Sequence, residues 1–230
     1  MLTISTFNIQ NDINNFSHDK TEQIINYIKE YKIDVLNLQE VYSKVNDDLI
    51  KELKKMNYIS TGNYRFLLRK TLNKINEKNS SITNHKVLYT RTYRLPFMPS
   101  LLKRIITKTV IDYEGEKVSI YNTHLDFMYT LSKKRQLKRI LSILKKDKNK
   151  IILTGDFNLK TNKEIFKEFI KELELLGIKH ININEKTFKP SRYHRAIDHI
   201  FISEEFKLVS KKLITDIETS DHYPVLIKIK

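Results

Sequence analysis

Apolar residues recur along this chain at two spacings, and the spacing separates strands from helices. The β-rich runs LTISTFNI (2–9) and IDVLNLQ (33–39) flank a helical pattern. That helix starts near Asp19, where Glu22 three residues on gives a capping signal, and it buries Ile24, Ile28 and Tyr31. Ser43 can cap a second helix with the stripe Val45, Leu49, Leu53 and Met56, after which residues 60–85 read as polar and irregular. ITKTVIDYEGEKVSIYNTHL predicts two strands turned at Glu114–Gly115. A basic amphipathic helix follows, with Leu137, Ile140, Leu141 and Leu144 on one face and Lys133, Lys134, Arg135, Lys138 and Arg139 elsewhere. Next come a strand, KIILTG, and a helix from Thr161, boxed by Glu164, that buries Phe166, Phe169, Ile170 and Leu173. IKHINI, AIDHIFIS and PVLIKIK close the chain as strands. Strands outnumber helices and some are joined by hairpins, which predicts a mixed α/β sheet system covered by helices over an all-parallel sheet.

Only four Gly and four Pro are present among 230 residues, so no linker composition divides the chain, and a single domain over 1–230 is expected. Cysteine is absent, which excludes disulfides and thiolate metal sites. The N-terminus runs from Met1 into a strand-like stretch without a basic leader, and no apolar run approaches bilayer length. A cytoplasmic monomer is the expectation. Forty-two Lys and Arg against 27 Asp and Glu give a formal charge of +15, which favours a polyanionic partner: nucleic acid, an anionic membrane surface or a phosphorylated small molecule.

Polar side chains stand where strands end. Asn8 ends the first strand, Glu40 the second, Asn122 and His124 a third, and Asp156 with Asn158 a fourth. Asp198 lies in AIDHIF, while Asp221 and His222 precede the last strand. Each has an ordinary explanation alone; Asp156, for one, suits an Asx-turn. A buried carboxylate without a partner is expensive, however, and repetition at so many strand ends points to one shared site.

TFNIQ, LQEV, NTHLD, TGDFNL, AIDHIF and SDHYPV, in this order, resemble the endonuclease/exonuclease/phosphatase superfamily over nearly the whole chain. NEKNSSI with Glu77, followed by Arg104 and NTHLD, looks most like its branch of deadenylase-type and bacterial members. The resemblance implies a two-sheet β-sandwich flanked by helices, a four-layer α/β/β/α fold, with the site at one rim. It implies Mg²⁺ or Mn²⁺ held by Glu40, with Asn8 and Asp221 close by. It assigns Asp156 to the attacking water, Asn158 to positioning it, His222 to the scissile phosphate with Asp198 orienting the ring, and His124 to a second phosphate contact. Arg104 is a further substrate contact on this reading. The chain departs from the pattern at three places: NHKVLYTRTYRL lacks the Gly common in repair endonucleases, His199 stands where an aromatic is frequent, and Ala196 replaces a commonly basic residue beside Arg195.

Substrate-facing features are less specific. KTFKPSRYHR interleaves Lys186, Lys189, Arg192 and Arg195 with Phe188 and Tyr193, a pattern that suits stacked bases and phosphates as well as an ordinary solvated loop. LPFMPSLL places apolar residues between two prolines, as a buried connection or a rim that touches lipid. Together these predict a metal-dependent phosphodiester hydrolase acting by direct water attack, with nucleic acid as substrate. The alternatives are a sphingomyelinase-like enzyme acting on lipid and an inositol polyphosphate phosphatase. A non-catalytic nucleic-acid binder fits less well, since it needs Lys and Arg but neither Glu40 nor Asp221.

Overall fold

The computed structural model describes residues 1–10, 18–41, 43–64, 78–100, 103–190 and 195–230. The first half of the chain forms β1 (Leu2–Asn8), α1 (His18–Tyr31), β2 (Val35–Val41), α2 (Ser43–Lys55), β3 (Ile59–Tyr64) and β4 (Lys78–Thr83). The middle gives β5 (Lys86–Arg94), β6 (Ile105–Tyr113), β7 (Glu116–His124), α3 (Thr130–Leu144) and β8 (Lys150–Asp156). Then follow α4 (Glu164–Glu174), β9 (Ile178–Ile181), β10 (Asp198–Ser203), β11 (Leu208–Leu213) and β12 (Val225–Ile229).

These strands build two six-stranded mixed sheets, in the orders β11-β12-β1-β2-β4-β3 and β5-β6-β7-β8-β10-β9. Each sheet holds one parallel pair spanned by a helix: β1 and β2 through α1, and β7 and β8 through α3. The remaining pairs are antiparallel. Three apolar clusters follow from the strand period of two. Ile24, Ile28, Leu49 and Leu53 of α1 and α2 pack on the outer face of the first sheet, against Phe7, Leu36 and Leu38. Leu137, Ile140, Phe166 and Phe169 of α3 and α4 cover Tyr121, Leu153 and Phe201 of the second. Leu2, Ile4, Val35, Ile120, Ile152 and Ile200 meet between the sheets. No helix among the described residues is long and apolar enough to cross a membrane.

The inter-sheet layer changes character along the strands. Following alternate residues from Ile4 leads to Thr6 and Asn8, from Val35 to Asn37 and Gln39, and from Ile120 to Asn122 and His124. The same walk leads from Ile152 to Thr154 and Asp156, and from Ile200 back to Asp198. At that polar end the sheets are joined by hydrogen bonds: Asn37 Nδ2 donates to Thr154 Oγ1 at 2.8 Å, and Gln39 Nε2 donates to Asn122 Oδ1 at 2.8 Å. Asn122 Nδ2 in turn donates to the carbonyls of Leu38 and Ser80.

The stretch read as irregular contains β3 and β4. In β4, KNSSIT, every residue is buried although only Ile82 is a large apolar one, because part of the strand serves the polar end of the interior. β11 was also outside the expected strands; it is a Lys-bearing, mostly exposed edge, whose composition discourages pairing with another chain. α4 begins at Glu164, later than the expected start at Thr161, and Lys163 at its N-cap makes no side-chain capping bond.

Candidate active site

Local backbone geometry aims the polar side chains. A register shift between Leu38 and Val41 puts one extra residue into β2, and Glu40 there takes a φ of 59°. Such a bulge re-aims a side chain that plain alternation would send to the helix face. Asn158 (φ 50°) and Gln10 (φ 47°) share this left-handed conformation, so three strained residues border one rim. Gly155 is required beside them: a Cβ there would lie 2.0 Å from the Thr123 carbonyl oxygen on the parallel neighbour β7.

The expected residues converge. Asn8 Nδ2 donates to Asp156 Oδ2 at 3.1 Å and to Glu40 Oε1 at 3.3 Å. Its Oδ1 accepts the Gln10 N–H at 3.0 Å, which fixes the amide orientation. Asp156 Oδ1 accepts the Asn158 N–H at 2.8 Å, and the Asn158 side chain donates to the Leu125 carbonyl. His222 Nδ1 lies 2.8 Å from Asp198 Oδ2, while its Nε2 stands 3.7 Å from Asp156 and 3.8 Å from Asp221. His124 Nε2 is 3.6 Å from Asp156. Arg104 is buried with Nη1 3.0 Å from His124 Nδ1. A guanidinium only donates, so His124 accepts there and carries its proton on Nε2, toward the carboxylates.

The loop before β12 is tied to the end of β1. Ser220 Oγ donates to the Asn8 carbonyl at 2.6 Å and accepts from the His222 N–H, and the Asp221 N–H donates to Gln10 Oε1. Phe188 packs edge-on against the His222 ring at 5.0 Å, and Arg195 lies over Phe188 at 5.7 Å. Arg195 therefore borders the site; Arg192 and Tyr193, with Glu77, lie outside the described residues.

Burial and charge set the protonation states. Burial pushes the Asp156 carboxyl up to about 7, the Asp198 charge adds to this, and His222 opposes it. Burial disfavours a charge on His222, yet Asp198, Asp156 and Asp221 together hold it up at about 10. Asp221 is raised by burial and also by the Glu40 charge, with His222 working the other way.

These groups open into a cleft of about 880 Å³. Lys133, placed by the sequence pattern on the polar side of its helix, instead points in: it is 7% exposed and donates to the carbonyls of Phe127 and Asn158, both at 3.2 Å. Lys160 and Lys163 add further charge at the mouth. Gln10 and Lys133 are among the cleft residues not identified as site residues from the sequence, and their spacing carries no signal that would single them out, whereas Phe188 belongs to the aromatic and basic stretch KTFKPSRYHR.

Two donor sets suit a divalent cation. Ligand atoms of Asp156, Asp198 and His222 lie within 4.8 Å of one another. Asp198 and His222 already bond each other, however, which leaves Asp156 as the one member outside that pair. Glu40 and Asp221 form the second set, like charges turned into one cleft with Asn8 beside them. An all-oxygen set of this kind matches a hard cation.

Several solved structures share this sandwich. An endonuclease/exonuclease/phosphatase from Bacteroides vulgatus superposes with a TM-score of 0.85 at 22% identity, covering 100% of this chain and 98% of its own. A Bacteroides thetaiotaomicron mannosyl-6-phosphatase gives 0.77 at 17% identity with both chains fully covered. D. rerio TDP2, complexed with single strand DNA product, gives 0.76 at 16% identity, covering 100% and 98%. At these identities the likeness establishes the fold. No curated protein matches the chain. The model of the Endonuclease/Exonuclease/phosphatase family matches residues 5–222, a span that runs from within β1 past β11 and takes in every rim residue from Asn8 to His222, and the chain belongs to that family.

Proposed function

We propose that the protein is a Mg²⁺- or Mn²⁺-dependent phosphodiesterase that cleaves nucleic acid by direct attack of water. The observation that carries this reading is the convergence of Glu40, Asp156 and Asp221 with His124 and the Asp198-bonded His222 in one cleft whose mouth carries Lys160, Lys163 and Arg195. Glu40 and Asp221 would hold the cation, and Asn8 fixes the Glu40 carboxylate. When bound, the cation supplies charge neutralisation at the nonbridging and leaving oxygens of the phosphate.

The chain's own groups do the rest. Asp156, with its carboxyl near 7, is matched to accept a proton from water at neutral pH. The Asn158 N–H on Oδ1 and Asn8 on Oδ2 hold that carboxylate still, so its basic electrons face the water without reorganisation. His222 enters the reaction charged and, aligned by Asp198, offers its Nε2 proton to a phosphate oxygen. The gaps of 3.7 and 3.8 Å around Nε2 leave that proton available. His124 offers a second donor, its tautomer set by Arg104. Lys133 braces the Asn158 carbonyl and adds positive charge beside the phosphate.

One feature favours a lipid substrate as the second reading. Phe127 (58% exposed), Met128, Tyr129 and Leu131 form an apolar rim beside the cleft, and Arg135 links their helix to the exposed Met98 through its carbonyl. Phe127 itself lines the cleft. The deciding assay offers a single-stranded oligonucleotide, sphingomyelin vesicles and bis-p-nitrophenyl phosphate, each with Mg²⁺ or with EDTA. Metal-dependent cleavage of the oligonucleotide supports the first reading, and cleavage of vesicles alone replaces it with the second. Full activity in EDTA overturns both.

A further inference from the structure

A second groove, of about 540 Å³, lies on the outer face of the second sheet. Helices α3 and α4 cover the outward side of β7, β8, β10 and β9, and β5 and β6 extend beyond them. Strand pairing sets Arg91, Lys108 and Tyr121 side by side in one cross-strand row, with Tyr89 and Tyr93 on β5 flanking Arg91 on the same face. The floor is rigid. Lys108 Nζ lies 2.8 Å from Asp147 Oδ2, with the two side chains 8% and 3% exposed, and the Tyr121 hydroxyl donates to the same oxygen at 2.6 Å. This holds Lys108 5.4 Å from the Tyr89 ring centre.

Among the described residues Asp147 is the one carboxylate in the lining, and Lys108 already neutralises it. Arg91, Arg139, Lys146 and Lys148 remain around the groove, and among the described residues none of them has a carboxylate within ion-pair distance. Arg91 stacks on Tyr93 at 5.1 Å, and Tyr89 is 47% exposed. Aromatic faces interleaved with uncompensated cations are what an unpaired strand needs: rings for bases and charges for phosphates. An isolated phosphate would have no use for the rings, and a duplex would keep its bases stacked away from them. The groove lies toward the start of β8, and Asp156 ends that strand six residues after Lys150, about 20 Å away.

We propose that this groove is an exosite for single-stranded nucleic acid, with bases on Tyr89 and Tyr93 and phosphates on Arg91, Lys146 and Lys148. It grips the strand that the rim cleft cuts, and so it rests on the nucleic-acid reading of that cleft. The test is Tyr89→Ala with Arg91→Ala, both at exposed positions, and separately Lys146→Ala with Lys148→Ala. Binding of a labelled single strand of about 12 nucleotides is measured by anisotropy in EDTA, and KM and kcat are then measured with metal. Each pair should weaken binding about ten-fold or more and raise KM for the strand, with kcat and hydrolysis of bis-p-nitrophenyl phosphate unchanged. Unchanged binding in both pairs overturns the exosite. So does an equal loss, in Tyr89→Ala alone, for inorganic polyphosphate, which has no bases to stack. A wild-type protein that binds the strand through these residues but never cuts it supports the groove while removing the nuclease reading of the cleft.

Discussion

Asp198 and His199 are neighbours on β10, and because they point to opposite faces they belong to two histidine sites of opposite character. On the inner face Asp198 bonds His222, and surrounding carboxylates keep that imidazole charged up to about 10. On the outer face His199 lies among Phe157, Phe166 and Phe201, with Nε2 2.8 Å from the Leu159 carbonyl and Nδ1 3.2 Å from His180 Nε2. A carbonyl only accepts, so Nε2 carries the proton and Nδ1 accepts one from His180, leaving both rings neutral. Burial pulls His199 down to about 4 and His180 to about 3. Burial works against charge at both sites; three carboxylates outweigh it at His222, while at His199 the Leu159 carbonyl and the Asp198 charge on the other face do not.

The largest expected effect separates catalysis from stability. His222→Ala and Asp156→Asn should each lower kcat by on the order of 10² or more, about 3 kcal/mol of transition-state stabilisation. His199→Phe should leave kcat within a few-fold but cost about 1–3 kcal/mol of stability, because the Leu159 carbonyl loses its donor. Turnover and thermal melts on the same three proteins check this. Equal losses of turnover in the His199 and His222 variants would break the distinction. Asp198→Asn should act through His222, lowering kcat by about ten-fold and moving the imidazole titration down, as read by NMR.

Stability in chelator should respond to pH with opposite signs at the two sites. Unfolded histidine titrates near 6.5, whereas folded His199 and His180 stay neutral to about 4 and about 3. Below pH 6.5 the unfolded chain therefore binds more protons, and stability falls by about 1.4 kcal/mol per pH unit for each ring. His222 is the reverse: its contribution is fully present below pH 6.5 and disappears as pH rises through about 10. Replacing both outer histidines by Phe should flatten the acid limb of a denaturation series, and His222→Gln the alkaline limb. An acid limb untouched by the double variant would mean those rings are already charged. The smallest effect is expected at the mouth of the cleft, where Arg195→Ala should raise KM for an oligonucleotide a few-fold, more at low salt than at high salt.

The inner site was legible in the sequence because its residues interrupt apolar runs, where a polar side chain needs a reason. The outer site was legible only in part: His199 stands out as a histidine where an aromatic is frequent, but His180 sits in its strand pattern as an ordinary residue. β4 escaped detection for a related reason: Asn79, Ser80 and Ser81 are buried as part of a polar layer, so the alternation that reveals a strand is missing. Lys133 shows the limit of helical periodicity, because a long stem can carry a charge from the helix flank into a neighbouring loop. The bulge at Glu40 depends on pairing with β4, which no local pattern encodes.

The polar end of the inter-sheet layer also bears on when the chain becomes active as it folds. Asn8 and Glu40 come from the first sheet, and His124, Asp156 and Asp198 from the second, with His222 arriving from a loop more than 200 residues after Asn8. Contacts of such sequence separation form late, after each sheet has paid its loop-closure entropy. Neither sheet alone carries half an enzyme. A chain that has not yet reached Ser220 can pair β1 with β2 and β7 with β8 while still lacking His222, so both βαβ units can assemble before the rim cleft is complete.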